Sequence, residues 1–247
     1  MEKRKVISLN INIISYQQAL FQVIQYAQNK VSAYVCFANV HMVIEAYKNS
    51  DLKKLVNASA FTFSDGMPLV YAIKKLYGIK QDRIAGIDFM LDILSACEKN
   101  NLSVFFFGST KNVLANLNKN ILQKFPKLKI AGSISPPFKT LSVQENEQYA
   151  KTINESGANI VLVSLGCPKQ ETWAAQNHKN IAAVLLAVGA AFEIHANLKK
   201  RAPLWMQRTG LEWLYRFLQD PFRLGKRYFN TNILYIYLLY KKILFGK

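Results

Sequence analysis

The sequence predicts an α/β fold in which a mostly parallel sheet is sandwiched by helices and followed by a C-terminal helical appendage. Three observations lead there. Strand-length runs such as "LSVFFFG", "NIVLVSLG" and "IAAVLLAVGAAF" are apolar almost throughout, the pattern of strands buried on both faces. Helical patterns separate them, which is the order of βα units. Near Leu198 the composition shifts to a basic, helix-forming tail.

Taken in order, "KVISLNINII" alternates as one strand, and Ser15 with Gln18 makes a capping box before the helical "YQQALFQVIQYAQ". "SAYVCFA" reads as a buried strand, "NVHMVIEAYKN" as a helix starting at Asn39, and "AFTFSD" as a short strand ending at Asp65. "GMPLVYAIKKLYG" has Pro68 in its first turn and Gly78 past its last, a well-punctuated helix. "IDFMLDILSACEKN" is amphipathic. The clearest section alternates "LSVFFFG", the helix "STKNVLANLNKNILQKF", "LKIAGSI", the rigid turn "SPPF" and the helix "SVQENEQYAKTINESG". It continues with "NIVLVSLG", the loop-to-helix "CPKQETWAAQNH" and a last strand that runs to about Glu193.

In the tail, Leu211, Leu214 and Leu218 form one stripe of a helix across residues 207–218, with Trp213 and Phe217 beside it. Arg208, Glu212 and Arg216 are spaced by four on another face, where Glu212 can pair with either arginine. Asp220-Pro221 ends that helix and opens a second, carrying Arg223 and Arg227. The expected division is a core over residues 1–197 and a basic appendage over 198–247.

Composition narrows the function. The formal charge is +17, and residues 198–247 hold eleven Lys/Arg against two acids, so the excess sits largely in the tail. Such a charge suits a polyanionic partner, an anionic membrane surface or phosphorylated substrates. Basic residues on an apolar-striped tail serve sequence-specific nucleic-acid reading poorly, so no nucleic-acid partner is expected, although a nonspecific phosphate grip remains open. Three scattered cysteines do not make a disulfide framework, and a reducing compartment is expected. The N-terminus lacks a signal-peptide pattern, and no run approaches the roughly 20 apolar residues of a spanning helix.

In parallel sheets, ligands sit outside the carboxyl ends of the strands. Those ends are Ala38-Asn39, Asp65-Gly66, Gly108-Ser109-Thr110, residues 166–170 and the neighbourhood of Glu193. The Gly108 turn can offer backbone N–H groups to a diphosphate, and is equally well a plain turn. Asp65 suits a base, a helix cap or a turn; Asn39 a cap; Gln170 and Glu171 a first helical turn; Arg83 an ion pair. His41, His178 and His195 make no metal-ligand spacing, and no Asp-x-Asp pair is present, so no metal site is expected. A diphosphate leaving group would then need arginines and backbone amides.

"FSDGMPLVYA", "RIAGIDFM", "FFFGST", "GSISPPF", "VSLGCPKQETW" and "KRAPLWMQRTGLEWLYRFLQDPFRLGKRY" stand here in one order. That ordered set, covering nearly the whole chain, resembles the WecG/TagA/CpsF family of bacterial glycosyltransferases. The resemblance implies a Rossmann-like core with an appendage that engages the membrane and completes the active site. It implies inverting transfer from a UDP-sugar, most characteristically UDP-N-acetylmannosamine, to a polyprenyl-diphosphate-linked saccharide such as undecaprenyl-diphosphate N-acetylglucosamine. The products of such transfer feed teichoic acid, capsule or exopolysaccharide. No cofactor or divalent metal is implied. The place of action would be the cytoplasmic face of the plasma membrane, peripherally bound, with self-association into a homo-oligomer also allowed.

By the same resemblance Asp65 matches the general base, which takes the acceptor hydroxyl's proton as the anomeric carbon is attacked. Asn39 and Gln170 match polar pocket positions, and Arg83 an arginine suited to phosphate or acceptor contact. The implied pocket also takes in Gly108, Ser109, Pro137 and Glu193. Arg208, Arg216, Arg223 and Arg227 match basic appendage positions, where bidentate guanidinium geometry suits phosphate oxygens. The chain departs from the family pattern at "FEIHAN", which usually reads "FDFLAG", at Phe37-Ala38, where many relatives carry threonine, and at Cys167, commonly alanine. Two other readings stay open: transfer of glucose, N-acetylmannosaminuronic acid or another hexose, and a non-catalytic nucleotide- or phospholipid-binding protein on the same scaffold.

Overall fold

The computed structural model describes residues 1–246; Lys247 and the side chains of Arg223, Lys226 and Arg227 lie outside the described residues. The chain is a mixed α/β fold with a mostly parallel sheet flanked by helices and a helical C-terminal region. It forms two compact units. One gathers Met1–Tyr16, Phe37–Ala85 and Lys200–Lys247, and the other Gln17–Cys36 and Gly86–Lys199.

The first unit opens with β1 (Lys3–Val6) and β2 (Leu9–Asn12), an antiparallel hairpin rather than the single strand expected from the alternation. A period of two is the same for one long strand and two short ones. The turn between them, with Ile7 at φ 56°, carries none of the usual Asn-Gly or Gly signal. After α1 (Tyr16–Gln28), β3 (Ala33–Ala38) enters this unit with Phe37 and Ala38. Asn39 caps α2 (Val40–Lys48), and Asn49 caps α3 (Ser50–Asn57), a short helix not expected from the apolar pattern. Both caps use side-chain oxygens to satisfy first-turn amides.

β4 (Phe61–Ser64) is fully buried and leads into α4 (Met67–Tyr77), which Gly78 ends in the left-handed conformation. Thr62 donates its amide to Asn12 Oδ1 at 2.8 Å, tying β4 to the hairpin. Phe63 stacks on Phe61 and meets Phe37 edge-on, with ring centroids 5.6 and 5.8 Å apart.

The second unit carries α5 (Gly86–Lys99), β5 (Ser103–Gly108), α6 (Lys111–Lys124), β6 (Lys129–Ile134) and α7 (Val143–Glu155). These are followed by β7 (Ile160–Ser164), α8 (Lys169–Asn177), β8 (Val184–Ala187) and α9 (Ala191–His195). Its strands run parallel in the order β3-β8-β7-β5-β6. The three consecutive phenylalanines of β5 explain the non-alternating pattern. Phe106 packs edge-on against Phe192, while Phe107 stacks on Trp173 at 4.1 Å. Successive side chains point to opposite faces, so both faces of this sheet are apolar.

Two further expectations are corrected. The last strand ends at Ala187, and Glu193 lies on the short helix α9. Gly189, at φ 55°, turns the chain between them, and an apolar run alone does not mark that break. In the C-terminal region, α10 (Leu204–Thr209) and α11 (Glu212–Gln219) replace the single helix expected over 207–218. Gly210, at φ 81°, caps α10 in the left-handed conformation, and a Cβ there would come within 3.2 Å of Met67. α12 (Pro221–Phe245) follows, is capped by Gly246, and packs along α2 and α4.

Candidate active site

In the first unit, Asp65 follows β4 and is held through its main chain from both sides. Its amide donates to Ala38 O at 2.9 Å, and its carbonyl accepts from Arg83 Nε at 2.9 Å. The segment that carries Arg83 is laced to the same strand end: Ile84 N donates to Ser64 O at 2.8 Å, and Ser64 Oγ donates to Asp82 O at 2.9 Å. Asn39 stands at the neighbouring strand end with Oδ1 accepting from Met42 N at 3.1 Å. A Cβ built on Gly66 would lie 3.9 Å from Asn39 Cβ, so the two strand ends are in contact. Asn39, Asp65 and Arg83 are thus brought to one place.

Arg83 carries a contact that spacing did not reveal. Its Nη2 donates to Glu212 Oε2 at 2.7 Å, with both side chains only 17% exposed. Glu212 therefore pairs with Arg83, a residue 129 positions away, and not with the helical neighbours that the spacing offered. The signal that could have found it was an acid in a strongly basic tail; its partner could not be read without the fold.

Arg208 is exposed on α10 and Arg216 is half-buried on α11. The expected phosphate contacts of Arg223 and Arg227 fall on side chains outside the described residues. Further along α12, buried Tyr235 donates to Pro68 O at 3.1 Å, where burial pushes its pKa upward and keeps the hydroxyl a neutral donor.

In the second unit, the carboxyl ends of β6, β5, β7 and β8 lie side by side. Gly108, at φ 118°, is required by close approach: a Cβ would fall 2.2 Å from Ser164 O. Ser109 donates its amide to Ser164 O at 2.8 Å, so that donor is engaged within the fold, while its carbonyl accepts from Ser135 Oγ at 2.7 Å. Pro137 is exposed in the next loop, beside Phe138, which is 83% exposed with Lys169 Nζ 5.9 Å from its ring centre.

Gln170 is buried and braces this edge. Its Oε1 accepts from Gly166 N at 3.2 Å, and its Nε2 donates to Ala187 O at 3.0 Å and to Glu171 Oε1 at 2.8 Å. Both amide hydrogens are thereby engaged by protein groups. Burial raises the Glu171 carboxyl from its ordinary 4.5 to about 7, against the hydrogen bonds from Gln170 and Cys167. Glu193 forms an ion pair with Lys199 at 2.6 Å, and His195 meets Ile87 O at 2.9 Å.

Among the described residues, no group of three or more His, Cys, Asp or Glu is arranged to hold a metal ion. Among them too, no helix is long and apolar enough to cross a membrane.

Residues 4–247 match the sequence profile described as "Glycosyl transferase WecG/TagA/CpsF family". A relative from Bacillus subtilis (strain 168), an N-acetylglucosaminyldiphosphoundecaprenol N-acetyl-beta-D-mannosaminyltransferase, is 30% identical over 217 residues, 87% of this chain and 82% of its own. A protein of the same description from Bacillus spizizenii (strain ATCC 23059 / NRRL B-14472 / W23) is 32% identical over 197 residues, 79% of this chain and 74% of its own.

Proposed function

The chain belongs to the WecG/TagA/CpsF family of glycosyl transferases, and from that premise we propose that it moves N-acetylmannosamine from its UDP donor to undecaprenyl-diphosphate-linked N-acetylglucosamine. The observation that carries this reading is the convergence of Asn39, Asp65 and Arg83 at two neighbouring strand ends in a chain that matches the family over residues 4–247. The identity of the sugar rests on the names of the two Bacillus relatives.

In this reading the acceptor hydroxyl oxygen bonds to the anomeric carbon as the bond from that carbon to the diphosphate breaks, inverting the configuration. Asp65 takes the hydroxyl proton; the hydroxyl acidifies as its oxygen bonds to carbon, so a carboxylate suffices as base. UDP leaves with the bonding electrons. Guanidinium groups of the C-terminal region, with Arg208 and Arg216 the described candidates, neutralise the diphosphate in place of a divalent cation.

The same region suits a peripheral site on an anionic membrane. Phe222, Phe229, Ile233, Ile236, Tyr240 and Leu244 are all exposed and recur along one side of α12, the form of an interfacial helix.

The test offers the full chain a prenyl-diphosphate N-acetylglucosamine acceptor and a panel of UDP-sugars, with and without EDTA. Transfer from UDP-N-acetylmannosamine that survives EDTA is expected, and preference for another hexose reassigns the donor. Asp65→Asn is expected to cut turnover by roughly 10²-fold or more while donor binding persists. Turnover at the wild-type rate would remove Asp65 from the base role.

A further inference from the structure

We propose that Glu212 is a positioning residue for this transfer: acting through Arg83, it fixes the main-chain carbonyl of Asp65 and so the attitude of the Asp65 carboxylate. The inference rests on the reading of Asp65 as the base.

The geometry is a relay of two hydrogen bonds from one edge of a planar group. Arg83 Nε and Nη2 share an edge of the guanidinium. Nε donates to Asp65 O at 2.9 Å, and Nη2 donates to Glu212 Oε2 at 2.7 Å. The guanidinium is rigid, so holding Nη2 sets the direction of Nε. Without Glu212 one contact would remain, and the long side chain could swing about it. The pair is shielded, at 17% exposure on each side, so it is neither screened nor replaced by water as a surface pair would be.

Loss of Glu212 would leave a largely buried cation without its counter-charge, free to turn toward the nearest other anion. Asp65 cannot relax independently, because its amide is already engaged by Ala38 O and the next residue, Gly66, caps α4. A shift at its carbonyl is therefore passed to its own side chain. Small misplacements of a catalytic group cost large factors in rate. The converse role, in which Glu212 holds Arg83 away from a diphosphate as a brake, predicts faster transfer when Glu212 is removed.

The experiment measures kcat and donor KM for the full chain carrying Glu212→Ala, Glu212→Gln, Arg83→Ala, and Glu212→Ala with Arg83→Ala, each with a melting curve. Glu212→Ala is expected to lower kcat by about 10–100-fold with donor KM within about threefold. Glu212→Gln keeps an acceptor oxygen at the same reach and should recover part of that loss. In the Arg83→Ala background, Glu212→Ala should cost nothing more, because the residue through which it acts is gone. Unchanged or raised kcat in Glu212→Ala overturns the inference, as do losses that multiply in the double variant. Where Glu212→Ala does not melt cooperatively, Glu212→Gln carries the same comparison in both backgrounds. Active wild-type protein with an unaffected variant sinks this inference alone, whereas wild-type protein inert toward every donor sinks the functional reading and this inference together.

Discussion

At the residue scale the sharpest contrast is between two carboxylates, Asp65 just after β4 and Glu171 in the first turn of α8. Asp65, the proposed base, is partly exposed and braced through its main chain. Glu171 is fully buried, bonded to Gln170, and raised to about 7. The sign for Glu171 follows from linkage. A folded-state value above the unfolded one means that the neutral acid is tolerated in the fold and the carboxylate is penalised. Stability is complete below the ordinary value of 4.5 and is lost as pH rises through about 7. Glu171→Gln keeps an acceptor for Gln170 and removes the titration. Compared with wild type, the variant should gain about 2 kcal/mol, or ~4–8 °C in Tm, between about pH 5.5 and about pH 8. Melting curves at the two pH values check this, and a constant difference between the proteins would refute it.

At the scale of elements, α12 has two apolar faces with different duties. Leu224, Thr231 and Tyr235 are buried on one side, with Tyr235 bonded to Pro68 of α4, while the opposite stripe begins with Phe222, which is 99% exposed. Leu224→Ala should therefore destabilise the fold by about 2–4 kcal/mol through the cavity it leaves. Phe222→Ala should leave stability within about 0.5 kcal/mol and weaken binding to anionic vesicles. Paired denaturation and vesicle sedimentation separate the two. Equal loss of stability would mean that Phe222 belongs to the core, and unchanged sedimentation would remove it from the proposed membrane face.

For the whole molecule, a formal charge of +17 concentrated toward the C-terminus would give the proposed association with an anionic surface a strong electrostatic part. Added salt shortens the Debye length from about 10 Å at 0.1 M to about 3 Å at 1 M. Vesicle binding should fall steeply over that range, leaving a residue of binding that depends on Phe222. Salt-independent sedimentation would place the whole interaction in apolar contact and leave the charge unexplained.

Much of this was legible in the chain. Apolar runs set apart by helical patterns marked the parallel sheet, because strands buried on both faces have no polar alternation to show. Asn39, Asp65 and Gly108 stood out because caps, strand ends and close-approach glycines have local causes. The hairpin at Ile7 was not legible, since its turn carries no strong residue signal. Gly210 and Gly189 do mark the other two breaks, but an isolated glycine inside a helical or apolar run does not by itself show that the element stops. The sequence by itself determined the α/β class, the family and the concentration of positive charge in the tail, all properties of residue order and composition. Only the tertiary structure decided that Glu212 meets Arg83 and that Arg83 holds the carbonyl of Asp65. An ion pair across 129 residues has no periodicity to betray it; it exists because the folded chain brings the last helices back to the end of β4.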